Sequence, residues 1–346
     1  MPKLLVHMKP NKRHITIQNN LSQVEEFINE IIVQPKHALT RWAKVTNQTP
    51  AAKIGYIGQH LASLITGVRG TGSGARGDDL ADGSEVKSCN KIDQVDKCKK
   101  CGARVLRMEN ECSSCGSTDI IRKDDSKWLF TVRDEHELKQ YLEMERVVLL
   151  LMDYPNFSDA DYKDIRITAF EIYPQEPRMS VFCKLIENHY YNIYIPKLKE
   201  GKKTNPMNLH PWSFQFYKCN PIKTFECIIK DIDTNPIVVI DRENYVCPSE
   251  ERGDKMSPLP MPSSLLKAKE WKEMLSKADF CSEILPNISN LFLVSNNLNS
   301  ITKKQFISLR VNLKEEALPY LTQTLRDYIS LRPIKSSTQK QHYQRS

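Results

Sequence analysis

The residues with the clearest capacity for chemistry lie in the run GDDLADGSEVKSC, residues 77–89. Glu85 and Lys87 stand two apart, so on a strand the carboxylate and the ammonium leave the same face. An aspartate from upstream, carried across the turn, would then face Glu85. Two carboxylates with the Val86 carbonyl make a hard-oxygen site suited to Mg²⁺. Lys87 can position or help deprotonate a water, or stabilise charge developing on a phosphorus centre. Those are the parts needed for phosphodiester hydrolysis. A Glu-x-Lys triplet alone says little, and it gains weight here from the acidic turn and the helix before it.

A second metal signature follows within a few residues. Cys98, Cys101, Cys112 and Cys115 form CKKCG, nine further residues and CSSCG. A two-residue gap lets both thiolates of one turn point at a single ion, the glycine allows the tight backbone beyond each pair, and two such turns complete a tetrahedron. Four protein ligands imply a structural zinc; a catalytic one would keep an open position. Two disulfides or a redox pair are the competing assignment. Lys97, Lys99, Lys100, Arg104 and Arg107 surround the first knuckle, where they can contact phosphates or offset the negative charge of a zinc held by four thiolates.

These groups need positioning elements. Residues 21–34 place Leu21, Val24, Phe27, Ile28, Ile31 and Ile32 on one helical face. A second helix is expected over 53–67, with Ile54, Ile57, Leu61, Leu64 and Ile65 inward, His60 beside that face and Gly67 as the stop. After the glycine-rich turn 68–77, residues 84–89 read as the strand carrying Glu85. Strands are expected at 127–132, 147–154, 166–173, 180–186, 190–195 and 236–240, with a helix over 136–145 and a basic loop over 196–208. The run NHYYNIY reads as a half-buried strand. The polar, proline-rich stretch 249–264 reads as a linker, and helices are expected over 264–278 and 301–328, the latter interrupted by Pro319. The resulting plan is a core over 1–248 with the four-cysteine element inserted at about 95–120, and a helical region over 265–346 for DNA recognition or dimerisation. Cys183, Cys219, Cys227, Cys247 and Cys281 are expected as small apolar core residues.

Composition narrows the class. The chain of 346 residues carries a net charge of +8, with seven Lys or Arg against three Glu in residues 1–50 and four against none in 331–346. The excess is terminal, as in floppy solvated ends or in phosphate clamps. The sequence has no apolar run of membrane-spanning length and no signal-peptide pattern. Four of the ten cysteines form the paired knuckles and the rest are scattered, which points to a reducing compartment, the cytoplasm.

The block KIGYIGQHLASLITG…GARGDDLADGSEVKSC resembles the PD-(D/E)xK nucleases, an α/β fold with a mixed sheet flanked by helices, and within them the MutH-like branch, in which a helix precedes an aspartate, a hairpin and E-x-K. With the four-cysteine element attached, it resembles type II restriction endonucleases of the MamI kind. The resemblance implies Asp79, before the apolar Leu80, as the first metal carboxylate, Glu85 as the second and Lys87 as the lysine. Gln59 matches a position that is often Glu. Asp78 stands where the family carries proline, which keeps Asp78 as a second candidate; Asp82 reads as a turn former. The function implied is Mg²⁺-dependent cleavage of double-stranded DNA with a structural Zn²⁺, by a homodimer on a palindromic site, with a companion DNA methyltransferase. The alternatives are a monomeric MutH-like nicking enzyme of repair and a non-catalytic zinc-ribbon protein that binds nucleic acid.

Overall fold

The computed structural model describes residues 12–18, 21–46, 48, 50, 54–72, 78–92, 94–107, 109–123, 125–159, 161–248 and 257–333. They fall into two compact units, one from residues 1–211 and 222–257, the other from 212–221 and 258–346.

The first unit begins with α1 (Leu21–Ile28), which runs through a π-helical turn, Asn29–Val33, into α2 (Gln34–Thr46), followed by α3 (Ile54–Thr66). The helix read over 21–34 therefore continues a further three turns. Next come β1 (Glu85–Asn90), the short ribbon strands β2 (Val95–Cys98), β3 (Arg104–Leu106) and β4 (Ile120–Ile121), then β5 (Trp128–Phe130) and α4 (Glu135–Glu143). The rest is β6 (Val147–Asp153), β7 (Ile165–Ile172), α5 (Val181–His189), α6 (Ile195–Lys199), β8 (Met207–Leu209), β9 (Ile222–Lys230) and β10 (Ile237–Ile240).

Five strands form the central sheet in the order β1-β6-β7-β9-β10. β1 runs parallel to β6, with Glu85 opposite Val147, and the remaining pairs are antiparallel. The sheet is thus mixed and flanked by helices, and β1 is an edge. All seven residues of β6 are buried, because both faces are covered. Val148, Leu150 and Met152 join Leu61, Ile65 and Val86 in one core cluster with the helices α1 and α3. On the other face Phe130 meets Phe182 of α5 at 5.2 Å, and Trp128 meets Phe170 at 6.3 Å.

Several expectations give way here. Residues 180–186 and 190–195, read as strands, form one helix from Val181 through a π-helical turn at Tyr190–Tyr194 to Lys199. The buried positions Phe182, Leu185, Ile186, His189 and Ile193 recur at three- and four-residue intervals, so helical period outweighs aromatic and β-branched composition. Tyr191 in NHYYNIY is 52% exposed. Of the expected basic loop, residues 200–206 are irregular chain, while 196–199 lie in α6 and 207–208 in β8. Strand β9, fourth in the sheet counted from the β1 edge, was not anticipated. His60 is exposed, its ring 6.2 Å from that of Phe27. Cys281 is exposed, and Cys183 and Cys247 are only partly covered, whereas Cys219 and Cys227 are buried.

The second unit contains α7 (Phe214–Lys218), β11 (Met261–Pro262), α8 (Ala268–Lys277), α9 (Asn290–Ser295), α10 (Lys303–Ser308), α11 (Val311–Ala317), β12 (Tyr320–Leu321) and α12 (Gln323–Asp327). The single helix expected over 301–328 is broken into three. Thr302 and Thr322 each cap a new helix by accepting a backbone amide, and after Pro319 the chain pairs as β12 with β11. Of the stretch read as a linker, residues 249–256 lie outside the described residues. Met261 and Ser263 are fully buried, so that end of the stretch is packed structure. Among the described residues no helix is long and apolar enough to cross a membrane.

Candidate active site

The acidic hairpin is built against the free edge of β1. Alternate residues of a strand direct their backbone groups to opposite sides. The Glu85 amide donates to Arg146 O at 3.1 Å, on the β6 side. The Val86 amide faces the free edge and donates to Asp79 Oδ2 at 2.8 Å, and the Val86 carbonyl shares that edge. The other oxygen of Asp79 accepts the Gln59 amide from α3. The Asp79 and Leu80 amides donate to Ser84 O at 3.2 and 3.1 Å, which closes the turn, while Leu80 is fully buried and anchors it. Glu85 and Lys87 are ion-paired on one face of β1. The structure therefore gathers Gln59, Asp79, Glu85, Val86 and Lys87. Asp78 is exposed, and its carbonyl accepts the Thr71 hydroxyl at 2.6 Å.

Helix α3 reaches this edge through a close approach at Gly58. A Cβ there would lie 1.8 Å from Ser88 Oγ and 2.9 Å from Ser88 Cβ, so only glycine lets the helix sit on β1 and bring Gln59 to Asp79.

Burial pushes the Asp79 carboxyl above its ordinary range, against the lowering effects of the Val86 amide and Lys87. Burial likewise raises Glu85, and the Asp79 charge adds to it despite Lys87. Two half-buried carboxylates that resist ionising side by side, with a backbone carbonyl on the same edge, suit a divalent cation. Tyr141 on α4, which sequence reasoning missed, belongs to the same field: burial first, then the Glu85 charge, raise its hydroxyl far up, so it remains a proton donor.

A second group missed from sequence holds the hairpin from behind. Arg146 is 1% exposed; its Nε donates to Ser84 Oγ at 2.8 Å, one Nη to Asp82 at 2.8 Å and the other to Glu171 at 3.4 Å. Glu171 also accepts the Tyr173 hydroxyl. Asp82 takes the Ser84 amide at 3.1 Å as well, so the turn former is also one end of a buried ion network. The available signal was an arginine heading a six-residue apolar run, Val147 to Met152.

The four cysteines converge. All four sulfurs lie within 4.8 Å of one another, with Cys98–Cys115 at 3.7 Å and Cys101–Cys112 at 3.6 Å. Thiolates about 2.3 Å from a shared tetrahedral ion stand about 3.8 Å apart, so the cluster can hold a metal. Gly102 and Gly116, with φ of 76° and 65°, turn the chain after each pair. The backbone amides of Cys101 and Lys100 lower the Cys98 thiol, favouring a thiolate, whereas at Cys101 the Ala103 amide is outweighed by the thiols of Cys115 and its neighbours, which raise it.

The five cations around the knuckles divide. Arg107, expected among the possible phosphate contacts, is 3% exposed and bonded to Asp96 at 2.8 Å. Arg122 joins the same carboxylate at 2.9 Å. The two guanidiniums lie 4.9 Å from the rings of Phe157 and Tyr162, which fixes the ribbon on the core between β6 and β7. That docking places the ribbon beyond the Asn90 end of β1. Glu85 stands at the opposite end of that strand.

The family model for MamI restriction endonuclease matches residues 41–264, a span that holds Gln59, the hairpin, Lys87 and all four cysteines. A curated relative, the type II restriction enzyme MamI of Microbacterium ammoniaphilum, is 33% identical over 162 residues, which is 47% of this chain and 47% of the relative. The chain therefore spans about half the length of that relative. No solved structure matches. Since the matched region contains both metal-capable clusters and well over half of the chain, this protein belongs to the MamI restriction endonuclease family.

Proposed function

We propose that this protein is a Mg²⁺-dependent type II restriction endonuclease on a PD-(D/E)xK core, cutting double-stranded DNA, with a structural zinc in the four-cysteine ribbon. The observation that carries the reading is the Asp79 carboxylate, held by the Val86 amide and Gln59 at the edge of the strand that bears Glu85 and Lys87. Asp79, Glu85 and the Val86 carbonyl are the ligands, and Gln59 orients Asp79. A Mg²⁺ held there would supply Lewis-acid chemistry, activating a water and polarising the phosphate. Lys87, paired with Glu85 on the same face of β1, would position the attacking water or stabilise charge developing on the phosphate.

In this reading two copies act on a palindromic site, since the two-fold symmetry of the duplex favours a symmetric dimer, and a companion methyltransferase protects host DNA. The test is digestion of a long DNA of known sequence with purified protein and Mg²⁺, followed by sequencing of the ends. Discrete ends on both strands are expected. Persistent nicks would support a repair nickase, and intact DNA under metal titration would reject the endonuclease.

A further inference from the structure

We infer that Gln59 restricts the acidic site to a single divalent cation, because its side chain meets Asp79 as a neutral donor where a second ion would need an anionic ligand. This assignment rests on the reading of Asp79 and Glu85 as metal ligands. Both oxygens of Asp79 already carry a donor, the Val86 amide on Oδ2 and the Gln59 amide on Oδ1. An ionised carboxylate has about four lone-pair directions, so each oxygen keeps one for a metal, and the direction toward α3 is taken by an N–H group. Facing an acceptor, the Gln59 amide presents its nitrogen and not its oxygen. The contact is set by the backbone, since α3 sits so close to β1 that a Cβ on Gly58 would stand 1.8 Å from Ser88 Oγ.

The rest of the site does not supply the missing charge. Among the described residues the four cysteines are the one group of three or more His, Cys, Asp or Glu placed to share an ion, so the acidic site offers two convergent carboxylates and no third. Asp78 is exposed, with its carbonyl engaged by Thr71. Lys87 pairs with Glu85 and offsets one of the two negative charges. A divalent ion turns the single negative charge that remains into a single positive one, which a phosphate of the DNA neutralises. Two-ion sites hold their metals about 3.5–4 Å apart, and a second ion here would add positive charge that the two carboxylates cannot answer. Mg²⁺ bound through one or two carboxylates and several waters fits this supply of ligands. Gln59 is thus a positioning residue that also fixes the metal count.

The experiment counts bound Mn²⁺, used as the probe ion, from the loss of its free paramagnetic resonance signal on titration into the full chain without DNA. Ions at the acidic site are those lost when Asp79→Ala is added to the same background. One such ion is expected for the parent and one for Gln59→Met, which removes the donor without adding charge. Two are expected for Gln59→Glu, since a carboxylate beside Asp79 repels it unless a cation lies between them. Two ions in the parent or in Gln59→Met, or one in Gln59→Glu, overturn the inference. So does loss of the ion in Gln59→Met, because the amide then serves to hold the metal and not to limit it. Gln59→Glu is prepared with Mn²⁺ present, and a variant that stays unfolded at saturating Mn²⁺ overturns the inference too, because bound ions would have stabilised the fold. If the parent holds two ions that Asp79→Ala removes, the inference alone fails. If Asp79→Ala removes none, the metal-ligand reading fails with it, and plasmid digestion with Mg²⁺ decides whether the endonuclease stands with its metal elsewhere.

Discussion

Replacing Arg146 by alanine is the sharpest test of how the acidic hairpin is held. The guanidinium and its partners Asp82 and Glu171 have side chains no more than 1% exposed, so solvent screens none of the loss. Removing one partner of such a buried network leaves uncompensated charge and costs about 3–5 kcal/mol, a large part of the roughly 5–15 kcal/mol that holds a domain together. For a unit of this size the midpoint should fall by roughly 6–20 °C. In the variant one of the two buried carboxylates takes up a proton, so its folded pKa rises above the unfolded value of about 4. A group raised in the folded state contributes its stability below the unfolded pKa and loses it as pH rises. The deficit should therefore be widest near neutrality and narrow toward acid pH. Cleavage should fall by more than the unfolded fraction, because Ser84, whose carbonyl bonds the Asp79 amide, is itself held by Arg146. Thermal scans of parent, Arg146→Ala and Arg146→Lys across pH, beside plasmid cleavage, measure all three effects, and the lysine variant should fall between the others. A deficit under about 1 kcal/mol, or one that widens as pH falls, would refute the reasoning.

Four further outcomes are expected. Glu85→Gln should abolish cleavage yet raise the thermal midpoint of metal-free protein near neutral pH, because burial lifts the Glu85 pKa and the charged form costs stability once pH exceeds it; a lowered midpoint counts against this. Asp79→Ala should abolish Mg²⁺-dependent cutting while Asp78→Ala retains substantial activity, and the reverse result in the same plasmid assay would exchange their roles. Elemental analysis should find about one zinc per chain, with Cys98→Ser losing it and melting earlier, since metal binding is coupled to folding. Gly58→Ala should destabilise the first unit by about 1–3 kcal/mol in urea unfolding, because its Cβ meets Ser88 of β1.

Much of the site was legible because its information is local. The four cysteines converge through two turns whose geometry is set within a few residues, and the helix over 53–67 and the seven-residue run of β6 follow from periodicity and from burial on both faces. Glu85 and Lys87 share a face by strand alternation alone. The misreadings arose where local composition and tertiary demand disagree. The tyrosines and isoleucines around 190–195 suit a strand, yet the buried positions from Phe182 to Ile193 repeat at helical spacing against the sheet. Strand β9 finds its place only between β7 and β10. Residues 212–221 join the second unit although the chain on both sides belongs to the first. Which of two adjacent aspartates bonds the Val86 amide, why Arg107 turns inward to Asp96, and how Arg146 reaches Asp82 across 64 positions and Glu171 across 25 are questions of long-range contact. Sequence spacing fixes which side chains share a face, but only the folded chain decides what stands opposite that face and so whether a charge is paired, buried or left to meet a ligand.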